Sequence, residues 1–310
     1  MAEEKKKAQH LLSIEQLTEA EIERYVDLAI ELKQQRVADV ASGKEPIAKQ
    51  NWALIFSKSS TRTRVSFEVG IRELGGRAMY FSSRDLQLGR GEPIKDTARV
   101  MGRMIDGAII RTYDQQDVVE FAEFSGVPTI NALTDEEHPC QILADLMTMK
   151  ELLGGWKGRT VAFLGDGDNN MSRSWMWAAE RCGFRLVIGA PKAYQPSEEY
   201  LSRLTSGNII CEDDPTKAAE GADVLYTDVW VSMGQEEESA KRIADLQAFQ
   251  INDPLLEAAA KDAVVMHCLP AYREKEITEK VLEQHADTIF QEAENRLHAQ
   301  KAVLAVLGGW

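Results

Sequence analysis

The sequence predicts an α/β protein made of two doubly wound parallel-sheet domains joined by interdomain helices. Three observations lead there. In both halves of the chain, apolar runs of strand length alternate with segments whose apolar residues recur at helical spacing. The 310 residues exceed what one ordinary hydrophobic core accommodates. Polar motifs fall directly after an apolar run and before a helix, and in an open parallel sheet that edge is where ligands bind.

In chain order, residues 1–13 read as a loose lead-in, and Ile22, Val26, Ala29 and Ile30 place an amphipathic helix at about 15–36. Trp52-Ala53-Leu54-Ile55-Phe56 is a strand, and Val65, Phe67, Val69, Ile71 and Leu74 suit the buried face of the helix after it. Ala78-Met79-Tyr80-Phe81 is the next strand, followed at 82–92 by a polar, glycine-containing loop of functional rather than turn length. Pro93 opens a helix to about Met104. Gly107-Ala108-Ile109-Ile110 is a buried strand with Arg111 at its C-terminal end. A helix near 116–124 and a strand near 128–131 complete this alternation. Pro139 suits a first helical position, so His138 falls near the N-cap of a helix whose Ile142, Leu146, Met149 and Leu153 share one face. That helix, ended by Gly154-Gly155, is long enough to pass between two domains. The second alternating unit begins at Thr160-Val161-Ala162-Phe163-Leu164, turns through residues 165–170 into a helix, and continues with strands at 185–189, 223–227, 263–267 and 287–291. A last helix from about Ala293, with Arg296 near its start, packs back onto the first domain. The expected domains are 1–150, completed by 293–310, and 151–292.

A net charge of −14 argues against nucleic acid and anionic membranes as partners and makes any local arginine cluster informative. The apolar runs are too short to span a bilayer. The charged N-terminus, Met-Ala-Glu-Glu-Lys-Lys-Lys, leads into no signal-peptide core, so the expected location is the cytoplasm. Cys140, Cys182, Cys211 and Cys268 fit neither a zinc-ligand spacing nor a disulfide framework, and no acidic cluster or pair of histidines suggests a metal.

The most telling stretch is Ser59-Ser60-Thr61-Arg62-Thr63-Arg64, where a strand becomes a helix. Amides at a helix start lack intrahelical partners and carry the positive end of the dipole. Adding hydroxyls and two guanidiniums there suits a phosphate. Arg62, Arg111 and Arg296 can converge on one dianion, His138 is a neutral donor suited to a carbonyl oxygen, and Gln141 offers an amide acceptor on the same turn as His138. A ligand with both a phosphate and a carboxamide would use all of them. The turn Gly165-Asp166-Gly167-Asp168-Asn169-Asn170 lacks the third glycine of a dinucleotide fingerprint, and its two acids would repel a pyrophosphate, so it suits a cationic or zwitterionic group. Asp228, with Ser232 in the stretch after it, can receive an ammonium. In His267-Cys268-Leu269-Pro270 the cysteine stands at a strand end beside a proline-fixed turn, well placed to touch substrate.

Together these motifs resemble the aspartate/ornithine carbamoyltransferase family, from about residue 10 to 307. S-T-R-T-R and H-P-C-Q are similar to its carbamoyl-phosphate half. Asp228–Glu236 (D-V-W-V-S-M-G-Q-E) and H-C-L-P look like its ornithine branch, where the aspartate branch has H-P-L-P and lacks S-M-G, which the putrescine enzymes lack as well. The resemblance implies that residues 1–150 bind carbamoyl phosphate and 151–292 bind L-ornithine, with citrulline and phosphate as products and no cofactor. It implies that Ser60, Thr61, Arg62 and Thr63 hold the phosphate with Arg111, and that Gln87 reaches it, across a subunit boundary of a homotrimer with shared active sites. It further implies that Thr61, Arg111 and His138 polarise the carbonyl, that Gln141 and the Leu269 carbonyl orient the NH2, and that Asn170 and the Met233 backbone bind the ornithine carboxylate. Asp228 and Ser232 would bind the α-ammonium, Cys268 would contact the δ-amine, and Arg296 would lie over the carbamoyl group. Ser57 departs from the glutamate that many ornithine enzymes carry there. The alternatives are a carbamoyltransferase for another amine, such as putrescine or an acylated ornithine, and a non-catalytic relative. An oxidoreductase lacks its glycine motif.

Overall fold

The computed structural model describes residues 9–37, 45–82, 91–231 and 239–309. The chain divides into two compact units: residues up to Ala144 together with the segment from Arg296 onward, and Asp145–Asn295.

In the first unit, α1 (Glu19–Val37) precedes β1 (Asn51–Phe56), α2 (Thr61–Glu73), β2 (Arg77–Ser82), α3 (Ile94–Met101), β3 (Gly107–Arg111), α4 (Gln115–Ser125) and β4 (Thr129–Leu133). Helix α5 (Pro139–Leu153) starts in this unit and runs through the division at 144/145. The strands form a parallel sheet in the order β2-β1-β3-β4. The chain leaves β1 toward one edge and β3 toward the other, so the topological switch lies between their C-terminal ends. Ala53, Ile55, Ala108, Ile110, Val118 and Phe121 share a core on one side of this sheet. Gly107 pairs with Trp52, whose ring would lie 2.5 Å from a Cβ there, so only glycine lets the two strands approach with that indole between them.

The second unit contains β5 (Thr160–Leu164), α6 (Asn170–Cys182), β6 (Arg185–Gly189), α7 (Glu198–Leu201), β7 (Ile209–Glu212), α8 (Pro215–Ala219), β8 (Val224–Thr227), α9 (Ser239–Leu246), α10 (Asp253–Ala258), β9 (Val264–His267) and α11 (Glu279–Gln284). Helix α12 (Ala286–Gly308) begins here and crosses the division at 295/296. This parallel sheet runs β7-β6-β5-β8-β9, with its switch between β5 and β8. Tyr226 of β8 stacks on Phe163 of β5 at 5.6 Å and meets Trp175 of α6 edge-on at 5.1 Å. These contacts fix the central strands against the helix that leaves the switch.

Three local readings are corrected. The stretch 287–291 is helix within α12, and Arg296 lies well inside that helix rather than near its start. Thr288, Ile289 and Phe290 are β-formers by composition, but tertiary packing overrides that preference: Ile289 is buried with Val281 and Leu282 of the preceding helix. Edge strand β7 was not anticipated, because its apolar run is short and Ile210 is exposed. Val65 is exposed, so the buried face of α2 is Thr63, Phe67, Gly70 and Ile71. The C-terminal segment of α12 does pack on the first unit, where Lys301 bonds Glu73 at 2.7 Å and Gln50 Nε2 donates to the Gly308 carbonyl at 2.9 Å.

Candidate active site

In the first unit, β1 delivers the chain into α2 at the switch. Ser60 is the N-cap, its hydroxyl accepting from the Thr63 N–H at 3.3 Å and donating to Thr63 Oγ1 at 3.0 Å. No acidic residue stands in the first turn to offset the dipole. Thr61 and Arg62 are exposed, and the Arg62 guanidinium makes no hydrogen bond or ion pair among the described residues. Arg64 is turned elsewhere: it bonds Glu68 at 2.8 Å and covers the Tyr80 ring at 3.8 Å. Only one of the two guanidiniums of the motif is therefore available at the turn. Arg111 ends the neighbouring strand, paired with Phe56, and its carbonyl accepts from the Ser57 N–H at 2.8 Å. This places Arg111 beside the same turn.

His138 caps α5 after β4, and Gln141 lies one turn on, both buried. Arg296 binds across elements: Nη1 donates to Gln141 Oε1 at 2.6 Å and Nη2 to Thr63 Oγ1 at 3.4 Å. Its planar fork thus joins α12, α5 and α2. Burial, followed by the charges of Arg296 and Arg111, holds His138 well below the usual histidine range. It is a neutral imidazole at neutral pH, a donor that adds no charge to a site already cationic. Cys140 next to it is buried and pushed up to about 12, so it is an inert thiol packed against the Asn131 carbonyl.

In the second unit, β5 is followed by Gly165, whose φ of +128° and approach to Trp230 (a Cβ would sit 2.8 Å from its Nε1) require glycine. The acids after it are not an open receptor for a cation, as the sequence had suggested. Asp166 is buried in an ion pair with Arg242, whose Nε donates to the Trp230 carbonyl at 2.8 Å, and Asp168 pairs with Arg173 at 2.9 Å. Asn169 and Ser172 form a capping box, which sets Asn170 as the first residue of α6.

Across the switch, Asp228 follows β8 directly. Its Oδ1 accepts from the Val229 N–H at 2.7 Å and from the Cys268 thiol at 3.0 Å. Burial raises the Asp228 pKa, opposed by His267, the thiol and the backbone donor. Burial and the Asp228 charge push the Cys268 thiol well above its ordinary range, so it is a hydrogen-bonding group and not a thiolate nucleophile. Leu269 takes a left-handed φ of +56°, and the Leu269–Pro270 bond is cis. The strand-end His267 is fully enclosed: its N–H donates to Glu292 at 2.8 Å, its Nδ1 accepts from the Leu269 N–H at 2.9 Å, and its Nε2 faces Glu276 at 3.2 Å. Asp228, His267 and Cys268 bring three potential ligand atoms within 4.8 Å, a cluster the sequence spacing did not announce. Both histidine nitrogens already have protein partners, so a metal here would have to displace them.

Within the first unit the structure gathers Thr63, Arg111, His138, Gln141 and Arg296, with Ser60, Thr61 and Arg62 on the adjoining turn. Within the second it joins Asp228 to Cys268, with Leu269 next along and Asn170 on the facing helix start. Gln87, Ser232 and Met233 lie outside the described residues. Sequence reasoning missed Glu276 and Glu292. Neither belongs to a motif, and Glu292 reads as one more polar residue in an acidic stretch before Arg296.

Each unit is thus an open parallel sheet with polar groups at its switch, arginines and a neutral histidine in the first and a carboxylate–thiol pair in the second. Residues 9–151 match the aspartate/ornithine carbamoyltransferase carbamoyl-P binding domain, and residues 157–307 match the Asp/Orn binding domain of the same family. The chain belongs to the aspartate/ornithine carbamoyltransferase family and is a carbamoyltransferase. It is 63% identical over 300 residues to an ornithine carbamoyltransferase of Akkermansia muciniphila, covering 96% of this chain and 97% of that protein. Over 301 residues it is 50% identical to one of Campylobacter fetus, at 95% and 96% coverage. Among solved structures, the ornithine carbamoyltransferase of Pyrococcus furiosus superposes with a TM-score of 0.90 at 43% identity, over 96% of each chain. The anabolic enzyme of Campylobacter jejuni superposes with a TM-score of 0.89 at 43% identity, over 96% of this chain and 98% of that one.

Proposed function

We propose that the protein transfers the carbamoyl group of carbamoyl phosphate to the δ-amine of L-ornithine, giving L-citrulline and phosphate. The observation that carries the ornithine reading is the bond from the Cys268 thiol to Asp228 Oδ1 at 3.0 Å. It joins the two motifs that set the ornithine branch apart, and it offers a carboxylate to an ammonium and a sulfur to an amine. In this reading Ser60, Thr61, Arg62 and Thr63, with Arg111 and a neighbouring chain's Gln87, hold the phosphate. Thr61, Arg111 and neutral His138 donate to the carbonyl oxygen. Gln141, ordered by Arg296, and the Leu269 carbonyl accept from the NH2. Asn170 and the Met233 N–H receive the α-carboxylate, and Asp228 with Ser232 receives the α-ammonium.

The chemistry is addition and elimination. The neutral δ-amine attacks the carbonyl carbon, and the tetrahedral oxyanion is held by preorganised donors. The carbon–oxygen bond to phosphate then breaks, and the proton lost by the former amine passes to the departing phosphate, which leaves as hydrogen phosphate into the arginine cradle. A lysine-like pKa near ~10.4 keeps most free ornithine δ-protonated at neutral pH, so the rate rises with pH. Approximation and electrostatics suffice for acyl transfer to an amine. We place the enzyme in the cytoplasm, as a homotrimer with shared sites, on the arginine biosynthetic route or the catabolic deiminase route.

A substrate panel tests the reading. With saturating carbamoyl phosphate, L-ornithine should far exceed putrescine, aspartate and acetylornithine, because each of those leaves a buried donor or acceptor unmatched. Equal or better turnover of putrescine would overturn the ornithine assignment. No turnover with any amine would favour a non-catalytic relative.

A further inference from the structure

We infer that His267 and Glu276 are positioning residues: their hydrogen-bond chain fixes the Leu269 backbone so that its carbonyl meets the carbamoyl NH2. The inference rests on the proposed role of Leu269 as that acceptor. It starts from an anomaly. Leu269 holds a φ of +56°, a region that a bulky side chain adopts only where its surroundings impose it. The imposed contact is the Leu269 N–H donating to His267 Nδ1 at 2.9 Å. An N–H can be accepted at Nδ1 only if that nitrogen carries no proton, so the ring proton is on Nε2, which points at Glu276 Oε1, 3.2 Å away. The same oxygen accepts from the Tyr272 N–H at 2.5 Å. One carboxylate therefore holds the far end of the turn directly and the near end through the imidazole. The His267 N–H is in turn pinned by Glu292 at 2.8 Å. His267, Glu276 and Glu292 are each 0% exposed, so water cannot substitute for any link.

The geometry also separates positioning from proton relay. The Cys268 thiol donates to Asp228 and not to the imidazole, and both imidazole nitrogens are engaged elsewhere. His267 holds the Cys268–Leu269 peptide and Glu276 holds the turn at Tyr272, so the Leu269 carbonyl takes its direction from a segment fixed on both sides. A backbone carbonyl recognises an NH2 by geometry alone, so a small rotation of Leu269 would weaken recognition of the carbamoyl amide while the phosphate cradle of the other unit is untouched.

The experiment compares two uncharged replacements by equilibrium binding. His267→Asn keeps an acceptor near the Nδ1 position, whereas His267→Gln places its amide near the Nε2 position and leaves the Leu269 N–H without an acceptor. Each variant, and the intact enzyme, is titrated calorimetrically with phosphonoacetamide and with acetonylphosphonate, which replaces the NH2 by a methyl group. The intact enzyme should prefer the amide, and His267→Gln should cut that preference by about tenfold while His267→Asn largely keeps it. Glu276→Gln, which still accepts at one oxygen, should lie between them and serves as the probe if His267→Gln does not fold. No amide preference in the intact enzyme would refute the Leu269 acceptor reading itself. A preference present in the intact enzyme and unchanged in His267→Gln or Glu276→Gln would overturn the positioning role. A preference kept by His267→Gln but lost in His267→Asn would assign the function to Nε2 and overturn it as well.

Discussion

At the switch between β1 and β3, Arg111 and Arg296 flank a neutral histidine and Arg62 stands on the adjoining turn. The equivalent edge between β5 and β8 presents Asp228 and a protonated thiol, with Glu276 and Glu292 behind them. Both lie at a topological switch of a parallel sheet, both follow a strand into a helix or loop, and both include a helix N-terminus. The architecture therefore supplies an address and nothing about the ligand. Charge does the sorting. In the first unit the helix dipole of α2 adds to the arginines, and burial removes the charge of His138 instead of adding a fourth cation. In the second unit the acids of the β5 turn are neutralised by Arg242 and Arg173, whereas Asp228 is held by the Val229 N–H and the Cys268 thiol, with no ion pair among the described residues.

The most severe way to break this contrast is to remove a cation from the first edge. Arg62→Ala should lower kcat by about 10²–10³-fold, as deletion of a preorganised oxyanion donor does. Because Arg62 is exposed and unpaired among the described residues, the same variant should keep its stability within about 0.5 kcal/mol. Steady-state kinetics and a melting curve check both halves, and near-normal turnover in a folded variant would reject the phosphate role. The mirror-image change is Asp228→Asn. It should raise the ornithine KM by about tenfold or more while leaving carbamoyl-phosphate binding unchanged, since a hydrogen bond to a charged group contributes about 1.5–3 kcal/mol. Unchanged kinetics would remove Asp228 from the amine site. Cys268→Ser should fall below both: a hydroxyl can still donate to Asp228, so a loss in kcat/KM of about tenfold is expected, and a loss as large as that of Arg62→Ala would mean the thiol does more than bond.

The same contrast marks how far the sequence could be read. The cationic edge was legible because its groups are consecutive or punctuated: S-T-R-T-R follows an apolar run, Arg111 ends one, and Pro139 dates the start of α5. Asp228 and Cys268 were legible as strand ends. The turn acids were misjudged because Asp166 and Asp168 find their arginines 76 residues away and five residues away, and neither pairing has a sequence signal. Arg296 was read near the start of its helix, whereas it lies well inside α12, bonded to Gln141 and Thr63. The β-branched run at 287–291 suggested a strand, whereas tertiary packing of Ile289 extends α12 through it. Glu276 and Glu292 escaped because an enclosed carboxylate and a solvated one look alike until the fold shows what covers them.

The smallest expected effect concerns protons, and it sharpens the comparison between the units through stability rather than turnover. His138 in the first unit and His285 in the second both have lowered pKa values, but for different reasons. Burial acts on both, while Arg296 and Arg111 act on His138 alone. A histidine whose folded pKa lies below its unfolded value of 6.5 leaves stability unaffected above that pH. Below it, the unfolded chain takes up a proton that the folded chain refuses, so stability falls as the pH drops toward the folded pKa. His138 should therefore contribute a slope approaching about 1.4 kcal/mol per pH unit between the unfolded and folded values. His285, half-buried and lowered by burial alone among the described residues, should contribute over a narrower interval. Melting temperatures of the intact protein, His138→Asn and His285→Asn between pH 7.5 and about 5 test this. The His138 variant should show the flatter acid limb, the His285 variant should track the intact protein more closely, and all three curves should share one slope above pH 7. If the two variants flatten the limb equally, the two arginines add nothing to what burial does at His138, and the contrast between the two histidines is lost.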